Sequence, residues 1–111
     1  MEESTMKASF IKEKVQSGEH DLSIHAHNER QEEQITVKDI EKVLLKGDII
    51  EKYPNDPRGE SCLVAGIVSK KPLHVVCGKR GKRLLIVTTY RPKLPVWITY
   101  KTRAEELKSR E

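Results

Sequence analysis

The chain has 111 residues and a net charge of +4, with 36% apolar and 34% charged residues. One small domain fits that length and a second does not. No apolar run reaches the roughly 18 residues of a membrane span, and the opening Met1-Glu2-Glu3-Ser4-Thr5 lacks the basic and apolar regions of a secretory signal. A soluble, cytoplasmic protein with no membrane partner is expected.

Residues 5–16 set Met6, Phe10, Ile11 and Val15 at helical spacing, and Gly18 stops the run. This helix is expected in an N-terminal extension, residues 1–19, at or beyond the margin of the core. Ser23 can cap a second helix from about Ile24 to Glu33. Apart from Ile24 and Ala26 its residues are mostly polar, so it either faces solvent or displays functional side chains. The third helix is the best defined. Thr36-Val37-Lys38-Asp39 reads as a capping box with Asp in place of the usual Glu or Gln, and Ile35 and Ile40 stand where a hydrophobic staple would sit. Val37, Ile40, Val43 and Leu44 form one apolar stripe, and Gly47 is placed for a left-handed C-terminal cap.

From Asp48 the pattern changes to strands. Asp48–Tyr53, Ser61–Val68, Leu73–Cys77 and Arg83–Tyr90 are separated by Pro54–Gly59, by Ser69–Pro72 and by the Gly78-Lys79-Arg80-Gly81 turn. Short connections between successive strands imply an antiparallel meander. The expected fold is therefore α+β, with two or three N-terminal helices on one face of a four-stranded antiparallel sheet. A charged tail, residues 104–111, follows the domain at 20–103, and a short frayed helix is expected over Thr102–Glu111. With Ser69 and Lys70 as the central hairpin residues, Cys62 faces Cys77 across the ladder. Without a C-x-x-C pair or a secretory signal, both cysteines are read as reduced, buried small hydrophobes, and a zinc site of the usual spacing is excluded.

Charge is distributed unevenly. Residues 1–60 carry fourteen acidic and nine basic side chains, whereas residues 61–111 carry three acidic and twelve basic ones. Between Ser61 and Arg103 there are ten Lys or Arg and no carboxylate. A surface that is basic on this scale suits a polyanion or an acidic protein; the alternative is a set of cations that only keep a small sheet soluble.

Several strings taken together resemble a bacterial and archaeal domain of unknown function. They are His25-Ala26-His27-Asn28-Glu29-Arg30 with Ile35-Thr36-Val37, then Leu45 to Asp56, and Arg58 to Gly66. Pro72 to Gly78, Ile86 to Tyr90 and Trp97 complete the set, which spans about residues 20–103. That family is grouped with the barnase/EndoU/colicin/RelE-like ribonucleases. The grouping implies a RelE-like fold, metal-independent cleavage of RNA, no cofactor, and the toxin role in a toxin–antitoxin pair whose antitoxin is of zinc-finger type. The warrant is analogy between folds.

Metal-free cleavage of RNA needs a base and an acid near neutral pH, and fixed cations for the phosphorane. His25 and Glu29 stand four apart on one helix face, so the carboxylate can orient the imidazole; an ordinary helix-surface pair or a helix–sheet anchor would look the same. His74, inside a strand, is either the acid or a buried histidine bonded into the sheet. Tyr90, at a strand end, either meets a phosphate or base or packs. Arg30 is the candidate phosphate clamp, and Lys79, Arg80, Lys82 and Arg83 form a basic turn suited to backbone tracking or to solubility alone. Arg103 is the remaining candidate RNA contact. His27 diverges from His25 and Glu29 on a helix, so the three do not share a face and no metal site is expected. The alternative to an enzyme is a non-catalytic basic module on a degenerate toxin fold, binding nucleic acid or an acidic partner.

Overall fold

A computed structural model describes residues 6–93. The tail helix expected at the C-terminus, Trp97 and Arg103 lie outside the described residues. Helix α1 (Ala8–Ser17), strand β1 (His20–Leu22), helices α2 (Ile24–Glu32) and α3 (Val37–Lys46), and strands β2 (Asp48–Tyr53), β3 (Ser61–Val68), β4 (Lys71–Arg80) and β5 (Arg83–Tyr90) follow in order. The architecture is α+β, but among the described residues the sheet has five strands rather than four, in the order β1-β5-β4-β3-β2. Strands β2 to β5 pair antiparallel, whereas β1 joins β5 in parallel. His20-Asp21-Leu22 is too short to show an alternating pattern, and its register is set from outside. The His20 ring lies 3.3 Å from the Lys14 carbonyl and 3.1 Å from Glu41, joining β1 to α1 and α3.

The third helix begins as its sequence dictates. Thr36 Oγ1 accepts from Asp39 N at 3.0 Å, Asp39 Oδ2 accepts from Thr36 N at 3.2 Å, and Ile35 and Ile40 are both buried. Its end differs from expectation. Gly47 has φ −79°, extended rather than left-handed. Glycine is needed there for space, because a Cβ would lie 2.5 Å from the Ala65 carbonyl oxygen and 2.6 Å from that of Val43. The left-handed cap belongs instead to Gly18 of α1, at φ 76°.

Helix α3 packs on β3 and β4, and α1 packs on α3 and β5, while α2 lies chiefly along β5. The core joins Ile40, Val43 and Leu44 to Cys62, Val64, Val75, Cys77 and Ile86 of the sheet. Met6 and Ile11 are fully buried in the same cluster, so α1 is part of the core rather than marginal to it. Strand alternation sends His74 to the other face of the sheet, and the bulge in β5 between Ile86 and Thr88 brings Tyr90, its direct cross-strand partner, to that same face.

Strand β4 also runs further than the glycines suggest. Gly78, Lys79 and Arg80 belong to the strand, and Arg80 closes the hairpin opposite Arg83. Gly78 makes room for the Arg80 guanidinium, whose Nη1 would lie 2.6 Å from an added Cβ. The turn itself is Gly81-Lys82, with Gly81 at φ 60°. At the other end of β4, Ser69 and Lys70 take φ 53° and 66°, a two-residue hairpin built without glycine, and Cys62 does face Cys77.

Candidate functional site

Strand β1 covers the outer edge of β5 only as far as Ile86. There Ser23 takes over: its N–H donates to the Ile86 carbonyl at 2.9 Å, and its hydroxyl donates to the Val87 carbonyl at 2.7 Å. The same hydroxyl accepts from Ala26 N at 3.0 Å and so caps α2. One residue thus ends the parallel pairing and starts a helix along the uncovered part of the strand.

The N–H groups of that part still need acceptors. Glu29 Oε1 accepts from Thr89 N at 3.2 Å, and Glu33 Oε2 accepts from Arg91 N at 2.9 Å. The match is geometric. Residues four apart on a helix rise by about 6 Å, and residues two apart on a strand by about 6.8 Å. Helix α2 is polar along this side because its carboxylates stand in for a missing strand. The Thr88 hydroxyl also donates to Glu29 Oε1. The His25 ring completes the cluster, with Nε2 3.2 Å from that oxygen and its side chain 70% exposed. Spacing alone pairs His25 with Glu29; Thr88 and Thr89, some sixty residues away along the chain, are not visible from it.

His74 is fully buried. Its Nδ1 lies 3.3 Å from the Tyr90 hydroxyl, with the two rings edge to face at 5.3 Å. Its carbonyl accepts from the Thr89 hydroxyl at 2.9 Å. His74 therefore has no solvent-facing surface, and the Tyr90 side chain that its ring contacts is half-buried at the strand end. Residues 88–90 of β5 gather His25, Glu29, His74 and Tyr90 around one short stretch of chain. Arg91, which is not among the candidates expected from the sequence, extends this stretch and donates to the Pro72 carbonyl at 3.4 Å. Its position immediately after Tyr90 was the available signal.

The predicted cations are placed elsewhere. Arg30 turns toward the α2–α3 connection, where Nη1 donates to the Ile35 carbonyl at 3.4 Å and Nε is buried with no partner among the described residues. Lys79 lies over the Phe10 ring at 5.3 Å, sharing it with Lys14 at 5.7 Å. Arg80 donates to the Lys79 carbonyl at 3.0 Å. Arg83 forms a two-pronged pair with Asp21 at 2.8 and 3.1 Å, which holds the Asp21 carboxyl below its ordinary range. Lys82 is exposed at the turn. Six residues of β4 separate this turn from His74, roughly 20 Å of extended strand. It does not share a site with the histidines. Among the described residues no three His, Cys, Asp or Glu side chains are grouped to hold a metal ion, and no helix is long and apolar enough to cross a membrane.

A family model described as a domain of unknown function, DUF4258, matches residues 22–91. No curated protein and no solved structure matches the chain. The matched segment begins at the last residue of β1 and ends at Arg91, so it contains the whole arrangement of α2 against the edge of β5.

Proposed function

Since the chain belongs to the DUF4258 family of domains of unknown function, we propose a function from its own chemistry: metal-independent endonucleolytic cleavage of RNA at the β5 edge. The observation that carries this reading is the Glu29 carboxylate, held by Thr88 and Thr89 and turned toward an exposed imidazole. With Nε2–H donated to Glu29, Nδ1 of His25 is the basic nitrogen and takes the proton of a 2′-hydroxyl. The 2′-oxygen then attacks phosphorus, and the P–O5′ bond breaks as the leaving 5′-oxygen takes a proton from water. The Tyr90 hydroxyl and the Arg91 guanidinium serve the phosphate, and His74 is a positioning residue that holds the Tyr90 phenol.

The same reading takes the scaffold as RelE-like. Helices ahead of an antiparallel β2–β5 meander support that grouping, and the parallel β1 is its departure. A toxin role, with an antitoxin of zinc-finger type as partner, belongs to this proposal.

The test is cleavage of RNA by the purified full chain in the presence of a metal chelator. The expected result is a 2′,3′-cyclic phosphate product, with activity reduced about 100-fold or more in His25→Ala. Arg30→Ala and Lys82→Ala should retain most of the activity. Intact RNA under these conditions overturns the enzymatic reading. RNA that is bound, released steeply by rising salt and left uncut favours the non-catalytic basic module.

A further inference from the structure

Cys62 and Cys77 are fully buried in the centre of the sheet, on its helix-covered face, and their sulfurs lie 3.9 Å apart. Antiparallel ladders alternate two kinds of opposed pair, and the register decides which kind this is. Lys79 N donates to the Glu60 carbonyl at 2.8 Å, so Glu60 and Lys79 are a hydrogen-bonded pair. Two steps along, Cys62 and Cys77 are again such a pair. Pro72, which has no N–H, falls opposite Ile67 in the other class, as this phase requires. Hydrogen-bonded pairs hold their Cα atoms about 5.5 Å apart, which is also the usual Cα separation across a disulfide. The Cα separation therefore suits a bridge. Directly opposed Cβ atoms, however, lie about 4.5–5.5 Å apart in a sheet, wider in this class of pair. A disulfide holds them at about 3.8 Å, so the two strands must draw together slightly as the side chains turn.

The two thiols are not equivalent. Cys62 adjoins edge strand β2, where its cross-strand neighbour is the exposed Lys52 and the pairing is broken by a bulge between Ile49 and Glu51. Cys77 faces Ile86 on the inner side. The S–H of Cys77 directed at Cys62 holds the Cys62 thiol below its usual range, with a smaller contribution from Lys52, whereas Cys77 is pushed well above it. An edge strand interrupted by a bulge is also where local opening admits a small oxidant most readily.

We propose that Cys62 and Cys77 form a redox-active dithiol, which closes to an intrachain disulfide when the native protein meets hydrogen peroxide. The Cys62 thiolate attacks one peroxide oxygen, breaking the O–O bond; a proton is taken up, water is released and a sulfenic acid remains. The Cys77 sulfur then attacks the Cys62 sulfur, forming the S–S bond and expelling the hydroxyl, which leaves as a second water with the Cys77 proton. Two thiols are oxidised and one peroxide is reduced. This reaction is independent of the RNA reading and stands or falls separately.

The experiment exposes the native full chain to peroxide, removes the oxidant, and unfolds the chain in urea with iodoacetamide. Protection of both cysteines from alkylation is expected, with a mass loss of about 2 Da. The bridge spans a sequence separation of 15, and the oxidised chain should unfold roughly 10–15 °C higher than the reduced one. In Cys77→Ser, Cys62 should stop at the sulfenic acid and be captured by dimedone; in Cys62→Ser, Cys77 should react at least about 10-fold more slowly. Full alkylation after native exposure, or bridges formed only between chains or only in urea, overturns the proposal.

Discussion

The two ends of β4 deal with polar groups in different ways. Near its start, His74 is buried against Tyr90, and the neighbouring edge of β5 is closed by carboxylates from α2. Near its finish, the cations of the Gly81–Lys82 hairpin lie at the surface, where Arg83 is paired to Asp21 and Lys79 lies over an aromatic ring. At the first end the groups are fixed because buried backbone N–H groups demand acceptors. At the second they are fixed only by exposed partners that water and salt can replace. Preorganised groups are therefore offered by the first end, although the second has the denser charge.

Glu29→Ala breaks this contrast most directly. It strips the acceptor from Thr88 and Thr89, and a loss of about 2–3 kcal/mol is expected in urea unfolding. A loss no greater than that of Arg83→Ala would remove the distinction between the two ends. A smaller effect of opposite sign comes from the hairpin beside His74. Lys70 occupies φ 66° with a side chain that disfavours it, so Lys70→Gly should raise stability by roughly 0.5–1 kcal/mol. The Gly81 turn already carries glycine where φ is positive, and the same exchange has nothing to relieve there.

Arg83→Ala should have the least effect, and its pH dependence has a definite sign. Asp21 is held below its ordinary value of 3.8, chiefly by the hydrogen bonds from Arg83. The pair's stabilisation is therefore present above that value and is lost as pH falls through the lowered one. Urea midpoints of parent and variant should differ slightly at about pH 6 and converge as pH falls through the lowered Asp21 value. A difference that persisted in acid would mean that Arg83 acts through something other than Asp21.

The parts of the fold that local chemistry dictates were legible in the sequence. The capping box of Thr36 and Asp39, the apolar stripe of α3 and the hairpin at Ser69-Lys70 are each set by a few adjacent residues. Gly47 and Gly78 were misread for a common reason. At each something distant in space or folded back in the chain approaches closely. At Gly47 it is the Ala65 carbonyl, which leaves no room for a Cβ; at Gly78 it is the end of the flexible Arg80 side chain, which can move aside. Spacing reports handedness and periodicity, not proximity. Strand β1 escaped for the same reason, since three residues paired in parallel to a partner more than sixty positions away leave no periodic trace. Of the site, the pairing of His25 with Glu29 and the strand positions of His74 and Tyr90 were readable. Which of these side chains meets solvent was not, because burial of His74 depends on what the folded sheet brings over it.

Helix α1 precedes the stretch by which this family is recognised, yet Met6, Ile11 and Val15 sink into the shared interior. Each such side chain contributes about 1.5–3 kcal/mol when removed from water, a large fraction of what a domain this size has in reserve. The recognisable stretch is a body without its own roof. Produced from residue 22 onward, it would present an oily flank over α3 and β5 and collect in aggregates unless another molecule supplied the missing cover.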